Sequence, residues 1–552
     1  MVARRLLALA QQLQAQGENP FKVRAYRRAA ETIAGLSDSI AGEVQAGRDL
    51  TRHPGVGQGI AAAVHEIVAS GSLGQLEMLL AETAPEVAAL QEFPRLDPKR
   101  VLRAYQKLGI RSVEELKAKL AGGEVGRVLG QRAEQHFRQA LTETHEILLD
   151  DADSVARSVQ LFLERKCGAN RAEPAGAYRR RVEVISELVF LVVTDDFQAL
   201  VEKMKRYGGG TALVAADARR ATFTLPSGLA LVVEFAPPQK WGVALIVATG
   251  AEAHLRKLQE HSGALTTWTK TRKSLPDEAA AYGALGLPWI PPELREGRNE
   301  VELAAERRLP EPVTLQDIRG ELHAHTTASD GAHSIEQMAT AARERGYEYL
   351  GITDHSQSLK IARGVAEDAL WKQIRSIDRL NTRGLGVRLL KSAEVDILAD
   401  GSLDYPDALL AELDYTVCSI HSRFRLSRAE QTERLMRAMD NPHFTLLGHA
   451  TGRLLLRRPG YELDWERLIP HARAAGVFFE INASPDRLEL SAEHTRLVQA
   501  AGIKIAICTD AHHGRELDYL RCGIDVARRA GLEKGDVLNT RPWPELSRAF
   551  RR

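Results

Sequence analysis

The chain has 552 residues, 44% of them hydrophobic and 27% charged, with a net charge of +1. That length predicts several domains, and the near-zero balance excludes a polycation, so any nucleic-acid contact must come from local basic patches. Four cysteines (Cys167, Cys418, Cys508, Cys522) form no C-x-x-C pair, which excludes a disulfide framework and fits a reducing compartment. No run approaches the roughly 18 apolar residues of a membrane span. The opening residues, interrupted at Gln11 and Gln12, read as an amphipathic helix rather than a signal peptide. The expectation is a soluble, cytoplasmic monomer with no membrane partner.

Residues 1–145 are predicted mostly helical, with apolar positions recurring at three and four residues. Phe21–Arg28 interleaves Lys22, Arg24 and Arg27 with Phe21 and Tyr26, a combination suited to phosphate contact plus stacking. Pro54-Gly55-Val56-Gly57 followed by Ile60–Ile67 looks like a helix-hairpin-helix. Gly55 and Gly57 permit a tight turn whose backbone N–H groups can face a DNA phosphate. Phe93–Pro98 before Lys99–Leu108 resembles a second copy, with Arg95 and Asp97 at the glycine positions. Val182–Val193, Ala221–Leu225 and Leu229–Phe235 are β-branched and apolar and predict strands of one sheet. Residues 256–296 read as helical with a Pro-rich end, and 297–318 as a polar linker.

From 319 on, strands and helices alternate. The strands are predicted at Gly320–His323, Tyr347–Thr353, Val387–Ala393, Tyr415–Ile420, Phe444–Gly448, Val477–Ile481 and Ile503–Cys508. Seven βα units predict a parallel sheet closed into a barrel, with chemistry at the C-terminal ends of its strands. Nine potential ligands follow those strands: His323, His325, Asp330, His355, Glu394, His421, His449, Asp510 and His512. His323-x-His325 on an extended segment points both imidazoles to one side, and Asp510-x-His512 repeats the spacing. Carboxylates mixed with imidazoles suit Mn²⁺, Zn²⁺ or Fe. Arg423 and Arg453, just after ligand strands four and five, are candidates to hold a substrate phosphate.

These residues resemble the PHP family of metal-dependent phosphoesterases over about 319–540. The resemblance implies up to three ions, Mn²⁺ and/or Zn²⁺. His323, His325, Glu394 and Asp510 would hold the first. Glu394, His421 and His449 would hold the second, with Glu394 bridging. Asp330, His355 and His512 would hold the third. It implies phosphoester hydrolysis, with Glu394, Asp510 and His355 as the catalytic set.

The Ala-Tyr-Arg-Arg helix ending at Arg28, the first hairpin and Leu285–Arg295 resemble family X DNA polymerases over about 1–300. A family X core followed by a PHP domain is an architecture of bacterial and archaeal members of that family. The implied fold is multidomain: a helical region with a helix-hairpin-helix (1–85), a fingers-like helical part (86–145), an α+β nucleotidyltransferase-like palm (146–255), a thumb (256–296), a linker (297–318), and a distorted seven-stranded α/β PHP barrel (319–552). The implied partner is gapped, nicked or 3′-ended DNA, gripped through Lys22, Arg24, Tyr26, Arg27, Gly55, Gly57, Arg179 and Arg180.

The palm departs from the family at its catalytic positions. Gly176-Ala177 replaces Gly-Ser, Glu187 and Val189 stand for two Asp, Glu234 stands for the third, and Thr249-Gly250-Ala251 lacks the usual serine. Nucleotidyl transfer needs carboxylates around two Mg²⁺, and valine binds no metal. The departures argue against a Mg²⁺ or Mn²⁺ pair at the palm and for weakened or lost synthesis with weak dNTP binding. The expectation is a DNA-repair 3′→5′ exonuclease. The alternatives are Mn²⁺-dependent synthesis through Glu187, Glu234 and Glu183, a small-molecule phosphatase, or a non-catalytic DNA-binding scaffold.

Overall fold

The computed structural model describes residues 2–15, 18, 20–34, 40–53, 55–81, 146–225, 227–271 and 273–550, with parts of 103–137. The chain divides into two compact units: Met1–Thr249 with Thr266–Ala284, and Gly250–Leu265 with Leu285–Arg552.

In the first unit, α1 (Val2–Ala15), α2 (Pro20–Ala34) and α3 (Gln58–Ser70) bury Leu6, Leu9, Leu13, Val23, Val64 and Ile67 in one core. This is the expected helical pattern: each helix hides one apolar stripe. Gly55 turns the chain into α3 with φ +79°, a conformation that favours glycine. Gly57 caps α3 without a side-chain bond. The second hairpin-like segment, Phe93–Pro98, lies outside the described residues.

A five-stranded sheet follows in the order β1 (Arg171–Ala175), β2 (Glu187–Val193), β5 (Ala230–Phe235), β4 (Arg220–Thr224), β3 (Ala212–Ala216). Alternation along β2 explains its two faces. Leu188, Phe190 and Val192 are buried with Leu149, Val155 and Val159 of α4 (Leu149–Phe162). Val189 and Leu191 point the other way, into a cluster with Trp241 and Leu245 of α5 (Trp241–Thr249).

In the second unit, all seven predicted barrel strands form. They are β6 (Gly320–Glu321), β7 (Tyr349–Ile352), β8 (Arg388–Lys391) continued by β9 (Glu394–Asp396), β10 (Val417–Ser419), β11 (Leu446–Leu447), β12 (Phe478–Asn482) and β13 (Ile505–Cys508). Two parallel sheets, β8-β7-β6 and β9-β10-β11-β12-β13, are joined by parallel bridges His355↔Glu394 and Ala324↔Ala511. The barrel is distorted because the third strand breaks between Lys391 and Glu394, pairing to one side before the break and to the other after it. Strands are shorter than predicted because the ligand residues leave the ladder: His449 and Asp510 adopt φ +24° and +54°.

The segment expected as a linker is folded instead. It contains a helix, α7 (Glu300–Ala305), which follows α6 (Glu252–Ser262) in this unit. Buried Glu300 accepts from the Gly297 and Arg298 N–H groups at 2.7 Å each and from His254 Nδ1 at 2.7 Å. The expected thumb is likewise divided, since Glu252–Ser262 clusters with the second unit and Thr266–Ala284 with the first. Polar composition misled at 297–318 because Glu300, one of its several charged residues, is buried and paired rather than solvated.

Candidate metal centre

The nine ligand candidates converge at the C-terminal ends of the barrel strands. Three groups have ligand atoms within 4.8 Å of one another: His323, His325, Glu394 and Asp510; His325, Asp330, His355 and His512; and His355, Glu394 and His421. The first reproduces the expected first set. The other two differ by sharing His325 and His355 between sets. His449 reaches the site through Glu394, Nε2 to Oε1 at 2.8 Å.

Glu394 is fully buried at the middle. His355 Nδ1 lies 2.7 Å from its Oε2, His323 Nε2 3.5 Å and His325 Nε2 3.6 Å, while His421 Nε2 lies 3.3 Å from Oε1. His512 Nε2 lies 3.3 Å and His355 Nε2 3.6 Å from the Asp330 carboxylate. Atoms sharing one tetrahedral ion at about 2.0–2.1 Å stand roughly 3.3 Å apart, so these spacings fit a common ion. His323 Nε2 and His325 Nδ1 are buried with no hydrogen-bond partner among the described residues. Orphaned buried donors and acceptors of this kind are costly unless something else occupies them. The donor set therefore fits divalent cations.

The electrostatics point the same way. Burial opposes charge on His355, but Glu394 and Asp330 overrule it and raise the imidazole to about 10. Burial likewise opposes charge on His512, and Asp330 and Asp510 raise it to about 9. His325 goes the other way, to about 4, through burial and the neighbouring His512 and His355. Burial disfavours ionised Glu394 and Asp510, yet the surrounding imidazoles hold both carboxyls well below the usual range.

Several residues that hold this centre were not singled out from the sequence. Glu480 Oε1 binds His323 Nδ1 at 2.6 Å, and its Oε2 accepts the His449 N–H at 2.7 Å. Asp396 binds His421 Nδ1, and the Asp510 carbonyl binds His512 Nδ1 at 2.8 Å. Such partners fix which ring nitrogen faces the centre. Glu321, buried and pushed up to about 7 by that burial, accepts the N–H groups of Leu322, His323 and Thr509, tying strand one to strand seven. Asp354 accepts from Thr326 N–H, Thr326 Oγ1, Ser329 Oγ and Gln373 Nε2, securing the loop that carries Asp330. Arg487 Nε lies 3.6 Å from Asp510. One sequence signal was available: Glu480 interrupts an apolar strand, and an acid is rarely buried unless paired.

The two phosphate candidates separate. Arg423 is exposed beside His421. Arg453 donates to the Arg487 and Leu488 carbonyls, so it braces a loop.

In the first unit, Arg179 grips Glu278 with both terminal nitrogens, at 2.6 and 2.9 Å, and Arg180 donates to the Thr249 carbonyl at 2.7 Å. Both have internal partners where a DNA contact was expected. Arg28 is held by Asp150 and Asp151. Lys22, Arg24, Tyr26 and Arg27 lie on α2, with Lys22 3.7 Å from Glu18.

On the five-stranded sheet, where the palm was expected, Glu187, Val189 and Leu191 register with Ala230, Val232 and Glu234, so all six share a face. Val189 packs among apolar neighbours, Glu187 is exposed, and Glu234 is bound to Arg220. Among the described residues, every group able to hold an ion lies in the second unit.

Comparison with known proteins adds the ancestry. A helix-hairpin-helix domain model matches residues 2–73, and a PHP domain model matches residues 321–484. The DNA polymerase/3′-5′ exonuclease PolX of Bacillus subtilis (strain 168) is 33% identical over 569 aligned residues, covering 100% of this chain and 99% of that one. The chain belongs to the PolX family. Part of the chain is also similar to a "Probable phosphatase" of Thermoanaerobacter sp. (strain X514), 31% identical over 40% of this chain and 89% of that one. A "Probable phosphatase" of Syntrophotalea carbinolica (strain DSM 2380) is 27% identical over 40% and 90%. Asp510 and His512 lie beyond the matched PHP segment, and the folded barrel brings them to its centre. Among the described residues no helix is long and apolar enough to cross a membrane.

Proposed function

We propose that this PolX-family protein is a metal-dependent DNA phosphodiesterase, a 3′→5′ exonuclease, with its chemistry at the nine-residue centre. What supports the reading is the convergence of six imidazoles and three carboxylates on one buried point, in a chain similar along its whole length to a DNA polymerase/3′-5′ exonuclease. Mn²⁺ and/or Zn²⁺, up to three ions, suit that donor set. Such ions supply Lewis acidity at the phosphate oxygens and bring the pKa of water toward neutral.

The chain's own residues do the rest. Glu394 sets Oε2 near His323, His325 and His355 and Oε1 near His421 and His449, so it would be shared between ions. His355 and Asp510 complete the catalytic set. Arg487 places a cation beside Asp510, and Arg423 offers one at the rim. Gly55 and Gly57 at the hairpin, with Lys22, Arg24, Tyr26 and Arg27, grip the DNA.

Template-directed synthesis is weakened or lost in this reading, with dNTP bound weakly. Val189 supplies no ligand and Arg220 neutralises Glu234, which disfavours the rival of Mn²⁺-dependent synthesis through substitute acids. A small-molecule phosphatase is disfavoured by the N-terminal helix-hairpin-helix.

The test is Mn²⁺-dependent degradation of single-stranded and gapped DNA by the full chain, beside hydrolysis of a small phosphomonoester. His355→Ala and Asp510→Ala are expected to abolish DNA degradation. Unchanged degradation in both variants overturns the assignment.

A further inference from the structure

A second pocket opens on the same face of the barrel as the metal centre, with a volume of about 430 Å³. Its wall includes Arg428, Thr451, Arg453, Tyr461, Trp465 and His494. Connectivity sets its position. Arg428 opens α8 (Arg428–Met439), Trp465 opens α9 (Trp465–Ala474), and His494 lies in the first turn of α10 (Ala492–Ala500). These helices follow β10, β11 and β12, so their first turns lie at the C-terminal ends of those strands, where the ligands also lie. Thr451 and Arg453 follow the ligand His449 by two and four residues.

The lining is unlike that of a bare phosphate site. Trp465 and His494 stack with ring centroids 4.3 Å apart and planes 24° apart. Tyr461 stands near Phe424, 6.1 Å between centroids, and Phe424 carries Arg458 over its ring at 4.3 Å. Exposed Arg423 and Arg425 flank Phe424 on the segment leading from His421. Aromatic surface interleaved with arginine is how proteins hold unpaired bases and their backbone without reading sequence. A small phosphomonoester would leave this space and these rings unused.

We propose that this pocket takes the base of the terminal nucleotide of the strand being cut, stacked against the Trp465–His494–Tyr461 wall while its phosphodiester enters the metal centre. The proposal rests on the nuclease reading and names its substrate as an unpaired strand end.

Two readouts on the full chain test it and separate it from that reading. The first compares Mn²⁺-dependent cleavage of single strands ending in an ordinary nucleotide or in a base-less residue. Base–aromatic stacking corresponds to roughly 5- to 150-fold per base, so wild type should favour the ordinary end in kcat/KM by a factor in that range. Trp465→Ala should erase the preference, and Trp465→Phe should keep most of it. The second is fluorescence of a terminal 2-aminopurine in EDTA, expected to be quenched by wild type and not by Trp465→Ala. Equal cleavage of both ends by wild type overturns the pocket assignment while leaving the nuclease standing; this comparison needs no variant. Trp465-dependent quenching without any DNA cleavage supports the pocket and overturns the nuclease. Quenching unchanged in Trp465→Ala overturns the pocket.

Discussion

Five imidazoles, those of His323, His325, His355, His421 and His449, place a ring nitrogen within 3.6 Å of Glu394. Metal ligation requires neutral imidazole, yet His355 and His512 are raised to about 10 and 9. Metal uptake near neutral pH should therefore release protons, and affinity should rise from pH 6 to 9; calorimetry in buffers of different ionisation enthalpy measures both. The stability sign is opposite without metal. A raised imidazole stabilises the fold fully below its unfolded pKa, near 6.5, and that contribution is lost as pH rises through 9 and 10. The protein in EDTA should lose Tm between pH 7 and 10, and the Mn²⁺-loaded protein should not. Identical pH slopes in the two would contradict the assignment. One buried acid also carries two tasks: Glu480 orients both His323 and the His449 backbone. Glu480→Gln should weaken metal affinity or activity about 10- to 100-fold, read as metal content after dialysis and as cleavage rate.

At the scale of elements, periodicity made most of the architecture legible. Most of the barrel strands announce themselves as short apolar runs followed by His, Asp or Glu, because a strand buried on both faces carries most of its polar residues at its ends. The segment 297–318 was illegible for the converse reason. Its four glutamates all look solvated in the sequence, whereas Glu300 is buried with His254 from α6, 46 residues away. Removing one partner of a buried pair typically costs about 3–5 kcal/mol. Glu300→Ala should therefore destabilise the second unit by an amount of that order and open 297–310 to limited proteolysis. Full resistance there would mean that the helix is held without the pair. Arg179 and Arg453 make the same point in reverse: each reads as a phosphate cation in the sequence and is bound internally in the fold.

For the whole molecule, the proposed function assigns the chemistry to the second unit. The five-stranded sheet holds Val189 in an apolar cluster and Glu234 on Arg220, and among the described residues the groups able to hold ions lie in the barrel. Primer extension on gapped duplex should be feeble with either Mg²⁺ or Mn²⁺, and Glu234→Ala should change it little. Robust synthesis that disappears in Glu234→Ala would restore the palm as an active site. The sequence by itself determined the inventory: nine candidate ligands near strand ends, a glycine-turned hairpin, and Val189 where the family resemblance leads one to expect an acid. These are properties of residue type and spacing, which act locally. Only the tertiary structure decided which candidate ligands cluster, which acids hydrogen-bond to them, which arginines are already committed and where an aromatic-lined pocket opens. Each of those depends on side chains tens to hundreds of residues apart, such as His323 on Glu480 at 157 positions' separation, and the packing of a closed barrel brings them within reach.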